Sequence, residues 1–341
     1  MSSKQLKTRE KDASLLPEEE QAKIDDVRKL IGPIADKLPL LCTDASISRY
    51  LRARNWSTKK ASKMLKETLE WRLQYKPEKI RWEDIAHEAE TGKIYRPNYS
   101  DKLGRPVLVM RPGFQNTNST SGQIKYLVYC MENAIMNLNQ YQEQMVWLVD
   151  FQGFAMANVS VKVTRETAHI LQDHYPERLG LGILYNPPKI FESAWTIVKP
   201  FLEPKTCKKM KFVYSDDPKS LKIMEEVFDL DKLDAAFCGR STGGFDYQAY
   251  AQQMKEDDIR KSNFLDSSSA SQSHRSYLSE PHRSGSPDLD HDSNMSNESG
   301  LSSGEEANHS NLECIDIQVQ ELSLSCKDIQ VGEAAVAEQV K

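Results

Sequence analysis

A threonine, a carboxylate and a group of lysines form the part of the sequence best suited to bind an anion. Glu177 lies immediately before a predicted strand, and Thr206 and Lys209 follow an unusually apolar helical segment. Lysine binds phosphate as a point charge, threonine supplies a hydroxyl, and a carboxylate accepts hydrogen bonds from sugar-like hydroxyls. These residues predict a site for a phosphorylated ligand, with a solvated strand edge as the simpler alternative. The neighbouring lysines and two N-terminal arginines are predicted to be surface charges: Lys205, Lys208, Lys211, Arg52 and Arg54.

The sequence contains no pattern of a known catalytic centre. A nucleophile elbow, a Walker loop and an H-E-x-x-H helix are missing. We interpret the cluster of His169, Asp173 and His174 as a surface or capping group, because on a helix positions 169 and 173 share a face whereas 174 turns away. The six cysteines include no C-x-x-C pair, which argues against zinc. We therefore predict no catalytic residue, no metal site and no cofactor, hence a protein that is not an enzyme.

The net charge of −5 is divided unevenly along the chain. Residues 1–254 contain 38 basic and 33 acidic residues, whereas residues 255–341 contain 7 and 17. A mildly basic body suits an anionic membrane surface or a phosphorylated ligand, and it is too weakly basic to predict nucleic-acid binding. Scattered cysteines, no secretory leader and no apolar run of about 18 residues predict a cytoplasmic protein whose membrane contact is peripheral.

The hydrophobic pattern divides the chain into a helical region and a region of alternating strands and helices. Residues 1–19 are typical of a flexible arm, and residues 20–85 predict a small helical bundle in which Thr43 or Asp44, and Ser57, cap helices. Residues 86–245 predict an α/β domain with a mainly parallel sheet. The predicted strands are 106–110, 145–149, 181–185 and 210–214, and the predicted helices are 123–138, 159–175 and 219–228.

A very apolar helix is predicted between Pro188 and Pro200. At 100° per residue its apolar side chains cover a sector about 160° wide, whereas an ordinary surface helix has a stripe about 100° wide. Two interpretations remain open: a well-buried helix of the α/β domain, or a mobile lid that faces a lipid cavity when closed and a bilayer when open. The side chains of this sector are Ile190, Phe191, Ala194, Trp195, Ile197 and Val198.

The C-terminal part of the sequence changes in composition. Residues 246–261 are a short extension of the α/β domain, and residues 262–341 are rich in serine and acidic residues with few large apolar ones. Such a segment cannot bury enough apolar surface to offset its ordering entropy, so we predict disorder. Ser286-Pro287 and Ser302-Ser303 resemble phosphorylation sites, and a solvated tail without a regulatory role is the alternative.

Residues 20–245 contain a set of linked motifs. They are RYLRAR (49–54), DKLGRPV (101–107), DFQG (150–153), YPERLG (175–180), NPP (186–188) and KPFLEPKT (199–206). In this order and spacing they resemble the Sec14-like phosphatidylinositol transfer proteins of the CRAL-TRIO lipid-binding family. The serine-rich tail is similar to extensions on plant members. The resemblance implies an N-terminal helical bundle followed by a CRAL-TRIO lipid-binding domain with a mainly parallel sheet and a gate helix at about 188–200.

The same resemblance implies a ligand and a set of contacts. The phosphoinositol headgroup positions of the family fall on Arg54, Glu177, Thr206 and Lys209, and all four keep the expected residue type. The implied activity is that of a monomer which binds one phosphatidylinositol and exchanges it between membranes.

The family's phosphatidylcholine positions are not matched. Met145 and Trp147 stand on the strand where small hydroxyl residues are expected, and Pro97 and Leu108 stand where tyrosines are expected. Two alternatives to transfer are a module that presents the lipid to a phosphoinositide kinase, and a carrier of another hydrophobic ligand such as a sterol.

Overall fold

The described part of the computed structural model comprises residues 18–155, 160–189, 191 and 204–276 and contains ten α-helices and five β-strands. The helices are α1 (Glu18–Ile31), α2 (Ile34–Lys37), α3 (Asp44–Ala53), α4 (Thr58–Tyr75), α5 (Ala86–Ala89), α6 (Thr120–Met136), α7 (Val161–His174), α8 (Pro204–Lys208), α9 (Pro218–Val227) and α10 (Tyr247–Ser276). The strands are β1 (Ile94–Tyr95), β2 (Val107–Met110), β3 (Met145–Asp150), β4 (Leu179–Tyr185) and β5 (Met210–Val213).

The N-terminal helices α1, α3 and α4 pack together through the apolar faces that their spacing predicts. Ile24, Ile47 and Leu65 are fully buried in their common core. Burial of a side chain of this size stabilises the fold by about 1.5–3 kcal/mol. The Thr43 hydroxyl accepts a hydrogen bond from the first turn of α3, and the Ser57 hydroxyl accepts one from the first turn of α4. These caps satisfy backbone donors that have no partner within the helix, so each helix begins where the sequence predicts.

The sheet has the strand order β1-β2-β3-β4-β5. Strand β1 is antiparallel to β2, and the other neighbours are parallel. Met145, Val146 and Leu148 of the central strand β3 are fully buried, as expected for a parallel strand covered on both faces. Helix α6 connects β2 to β3, and α7 connects β3 to β4. The predicted α/β class with a mainly parallel sheet is therefore confirmed.

Gly182 of β4 allows a close side-chain approach from the next strand. It pairs with Trp147 on one side and with Met210 on the other. A Cβ atom at this position would collide with the Met210 thioether, whose side chain lies over the glycine. A larger residue here would require the Met210 side chain to move away, so glycine suits this point of the strand.

Several boundaries differ from the predicted ones, and α6 begins at Thr120, three residues before the predicted start at 123. Strand β4 begins at Leu179, before the predicted start at 181, and α10 continues to Ser276, beyond the boundary predicted at 262. Serine tolerates a helix interior at a penalty of well under about 1 kcal/mol, so a helix already formed can extend into serine-rich sequence. Residues 277–341 lie outside the described part of the chain. Among the residues described, no helix is both long enough and apolar enough to cross a bilayer.

Candidate ligand-binding site

An ion pair between Glu177 and Lys209 lies at one edge of the sheet. Glu177 lies two residues before β4, and Lys209 immediately precedes β5. Because these strands are parallel neighbours, their amino ends meet at the same edge of the sheet. The Lys209 Nζ atom lies 3.3 Å from the Glu177 Oε2 atom, and the two side chains are 24% and 16% exposed. The Gly182 amide donates to the Lys209 carbonyl at 2.9 Å, which fixes the lysine backbone against β4. The sheet therefore positions both groups.

Thr206 is held in the turn that precedes Lys209. It belongs to α8, and its carbonyl accepts a hydrogen bond from the Lys209 amide at 3.0 Å. The side chain is partly buried. The hydroxyl and the ammonium group therefore belong to one short backbone unit, which favours a ligand that can be contacted by both.

Arg54 lies on the N-terminal helices and faces the end of α7. It is the C-terminal capping residue of α3, and its guanidinium lies 4.0 Å from the Asp173 carboxylate at the end of α7. The Lys205 ammonium bonds to the Arg52 carbonyl at 3.3 Å and to the Asn55 side chain at 3.2 Å. The residue next to Thr206 thus contacts both sides of Arg54. The structure brings Glu177 and Lys209 into direct contact and joins Thr206 to Lys209 through the backbone, and Lys205 ties the start of this turn to residues on either side of Arg54, at positions 52 and 55.

All three lysines predicted to be plain surface charges are exposed, and one of them also has a structural contact. Lys208 and Lys211 are exposed, as predicted. Lys205 is also exposed, but its contacts with Arg52 and Asn55 tie α8 to the end of α3. Sequence reasoning missed this role, since partners about 150 residues apart leave no local pattern.

The histidine cluster beside Arg54 divides into a surface pair and a buried ring. The His169 Nδ1 atom lies 2.6 Å from the Asp173 carboxylate, and His169 is 58% exposed. His174 is buried and stacks on Trp71, with ring centroids 4.1 Å apart. The prediction that positions 169 and 173 share a face while 174 turns away is confirmed. Within the described ranges, no group of three or more histidine, cysteine, aspartate or glutamate residues is placed to hold a metal ion.

Comparisons with known proteins identify the family. The model of the CRAL/TRIO domain matches residues 89–239, and that of the CRAL/TRIO N-terminal domain matches residues 18–67. The phosphatidylinositol transfer protein PDR17 of Saccharomyces cerevisiae is 33% identical over 250 residues, which cover 68% of this chain and 68% of that protein. The chain belongs to the CRAL/TRIO family. The predicted resemblance to this family is therefore confirmed, and the likeness of the tail to plant members stays a prediction.

Other CRAL/TRIO relatives differ in length from this chain. A CRAL-TRIO domain-containing protein of Schizosaccharomyces pombe is 33% identical over 64% of this chain, but the match covers only 21% of that protein. The phosphatidylinositol transfer protein CSR1 of Eremothecium gossypii is 28% identical over 60% of this chain and 48% of its own length. The crystal structure of Sfh5 superposes with a TM-score of 0.52 at 16% identity, covering 70% of this chain and 98% of that one, which supports the fold alone.

The predicted gate of the CRAL/TRIO domain lies almost wholly outside the described residues. Phe191 is helical and partly buried. The predictions for Ile190, Ala194, Trp195, Ile197 and Val198 fall outside the described part of the chain and stay predictions.

Two glutamates of the CRAL/TRIO domain connect it to the N-terminal helices, and sequence reasoning missed both. Glu132 binds Arg72 through two hydrogen bonds, of 2.8 and 2.7 Å, and accepts another from the Tyr175 hydroxyl at 2.7 Å. Glu143 binds α3 in a similar way. These pairs join residues 60 or more positions apart, so no helical or strand periodicity could indicate them.

Stability is expected to decrease as the pH falls from about 6.5 to about 4, because of His174. Burial, assisted by the nearby His169, lowers the pKa of His174 from 6.5 to about 4. In this interval the unfolded chain binds a proton that the folded chain does not, so the contribution is complete above 6.5 and lost by about 4. We expect a loss on the order of 2 kcal/mol in the free energy of unfolding.

Urea unfolding at several pH values, compared between the wild type and His174→Asn, isolates this contribution. His169 acts in the opposite sense, because Asp173 raises its pKa, so its contribution is present at low pH and lost as the pH rises through that raised pKa. An identical pH dependence in the wild type and in His174→Asn would contradict the assignment.

Proposed function

We propose that this protein binds phosphatidylinositol in its CRAL/TRIO domain and exchanges it between membranes without a chemical reaction. The main support is the Glu177–Lys209 pair at the amino ends of β4 and β5, with Thr206 in the adjoining turn. A phosphate can take the place of the carboxylate beside Lys209, and the released carboxylate can then accept hydrogen bonds from inositol hydroxyls. One site can thus bind both the phosphate and the inositol ring of the headgroup.

Arg54 and Thr206 complete the proposed headgroup contacts. Arg54 supplies a second cation, and its planar guanidinium suits the paired oxygens of a phosphate. Thr206 donates from its hydroxyl to the same group. A buried phosphate is strongly disfavoured unless it is paired and hydrogen-bonded, so these residues determine which headgroup the pocket accepts.

The proposed mechanism depends on removing the contact of acyl chains with water. A lipid that leaves a bilayer alone exposes its chains, at about 0.8 kcal/mol per CH₂ group. A dry cavity that opens against the membrane avoids this exposure. We assign the opening wall to residues 188–200 and the membrane contact to a peripheral association of a cytoplasmic monomer. The relatives PDR17 and CSR1 carry the name phosphatidylinositol transfer protein, which supports the same ligand here.

Native mass spectrometry of the purified full chain tests the proposed ligand. We expect a one-to-one complex whose added mass corresponds to phosphatidylinositol, and we expect Lys209→Ala to lose that mass. A sterol or phosphatidylcholine as the only bound lipid would contradict the proposed cargo. Transfer of phosphatidylinositol between liposomes then tests exchange, and a protein that binds the lipid but does not move it would support presentation to a phosphoinositide kinase instead.

A further inference from the structure

Glu143 connects to the two α3 arginines that precede Arg54. It lies in the loop of residues 137–144 between α6 and β3. One carboxylate oxygen is 2.9 Å from Arg49 Nη1, and the other is 2.6 Å from Arg52 Nη2. Arg49 and Arg52 are three positions apart, so they share a face of α3, and a single carboxylate can hold both. Arg54 caps the same helix, so Glu143 fixes the end of the helix that carries this cation.

The backbone of Glu143 connects to the opposite side of the site. Its carbonyl accepts a hydrogen bond from Arg178 Nη1 at 2.9 Å, and Arg178 directly follows Glu177. The Arg178 carbonyl in turn accepts from the Met145 amide at 2.9 Å. Glu143 is therefore bonded to the segment that carries Arg54 and to the turn that carries Glu177.

The surroundings of Glu143 are crowded with positive charge. Arg49, Arg52 and Arg178 all contact this one residue. Burial, and next the neighbouring Arg49, lower the pKa of Arg178 to about 10, as expected where like charges lie close together. The Glu143 carboxylate lies between Arg49 and Arg52, and without its charge these two guanidinium groups would repel each other.

We propose that Glu143 is a positioning residue that sets the separation between Arg54 and the Glu177–Lys209 pair. The inference rests on the proposed function, because Glu143 has this role only if a phosphate binds between Arg54 and the Glu177–Lys209 pair. A phosphate held by cations on two separate elements binds well only when both are already in place, since ordering them on binding reduces the affinity. An ordinary surface ion pair would contribute little, but Glu143 is two-thirds buried and joins two arginines.

The test is a double-mutant cycle on phosphatidylinositol binding. The Glu143→Gln variant keeps the size and the backbone carbonyl and removes the charge. We expect a loss of affinity of about tenfold for phosphatidylinositol with a fluorescent acyl chain, presented in phosphatidylcholine vesicles. In an Arg54→Ala background the same change is expected to alter the affinity less than about twofold, because the residue through which it acts is gone. Glu19→Gln is the matched control, since it removes the partner of Lys23 from an exposed pair.

Three results would overturn the inference in distinguishable ways. An equal loss from Glu143→Gln with and without Arg54 would mean that the residue acts through general stability. Unchanged affinity in Glu143→Gln, with affinity lost in Arg54→Ala and Lys209→Ala, would remove the positioning role and keep the proposed function. Unchanged affinity in Arg54→Ala and Lys209→Ala would remove the headgroup site itself. Urea unfolding of each variant separates loss of fold from loss of binding.

Discussion

Replacing Lys209 with alanine is expected to reduce phosphatidylinositol transfer between liposomes by about a hundredfold or more, with an unchanged circular dichroism spectrum. The phosphate would lose a charge-assisted hydrogen bond, and it would face the Glu177 carboxylate without the cation that now lies 3.3 Å from it. The fold should persist, because the Lys209 backbone makes the bond to Gly182 and its side chain is partly exposed. Undiminished transfer by the variant would remove the headgroup assignment.

Two further variants distinguish the lost attraction between Lys209 and the phosphate from the new repulsion between Glu177 and the phosphate. Lys208→Ala is the matched control, because it removes the exposed lysine immediately before Lys209 and is expected to transfer at the wild-type rate. The double variant Lys209→Ala with Glu177→Gln is expected to regain part of the lost affinity, since the unpaired carboxylate is gone. A double variant weaker than Lys209→Ala would instead mean that Glu177 contributes hydrogen bonds to the inositol that outweigh the repulsion.

Replacing Glu132 with glutamine is expected to lower the free energy of unfolding by about 3 kcal/mol. The Arg72 and Glu132 side chains are only 9% and 13% exposed, and the pair joins α4 to α6. Removal of one charge leaves the other buried without compensation, which is the costly way to break such a pair. The Tyr175 hydroxyl also donates to Glu132, so the loss extends to the turn that precedes Glu177.

Urea unfolding followed by circular dichroism measures this effect. The double variant Arg72→Met with Glu132→Leu is expected to have a free energy of unfolding much closer to that of the wild type. Apolar side chains of similar volume often replace a buried ion pair with little loss of stability. Glu19→Gln is expected to change the free energy of unfolding by less than about 0.5 kcal/mol. A loss of less than about 1 kcal/mol in Glu132→Gln would contradict the structural role.

Local patterns were sufficient to predict the fold. An apolar run marks β3, because a strand covered on both faces needs apolar side chains on each of them. Ser57 marks a helix start, because its hydroxyl accepts a hydrogen bond from a backbone donor that has no partner within the helix. The close approach of Glu177 and Lys209 follows from the parallel pairing of β4 and β5, which sets their amino ends side by side.

Contacts between distant segments could not be predicted in this way. Glu143 and Arg49 are 94 positions apart, and nothing in the sequence around either residue indicates the other. The extent of α10 was also missed, because composition predicts disorder from residue 262 while the helix continues to Ser276. Each residue added to an existing helix gains one backbone hydrogen bond. A helix can therefore continue past the point where the amino-acid composition changes.

The backbone at Glu177 adopts a conformation that suits a different amino acid. Its φ angle is +58°, in the left-handed region. This conformation destabilises a residue with a Cβ atom by about 1–2 kcal/mol and destabilises glycine by almost nothing. Glycine would therefore make this turn easier to fold, yet it could not provide a carboxylate beside Lys209. Under the proposed function, a glycine introduced here to raise thermal stability would remove a headgroup contact, so at this turn folding stability and lipid binding place opposite demands on the residue.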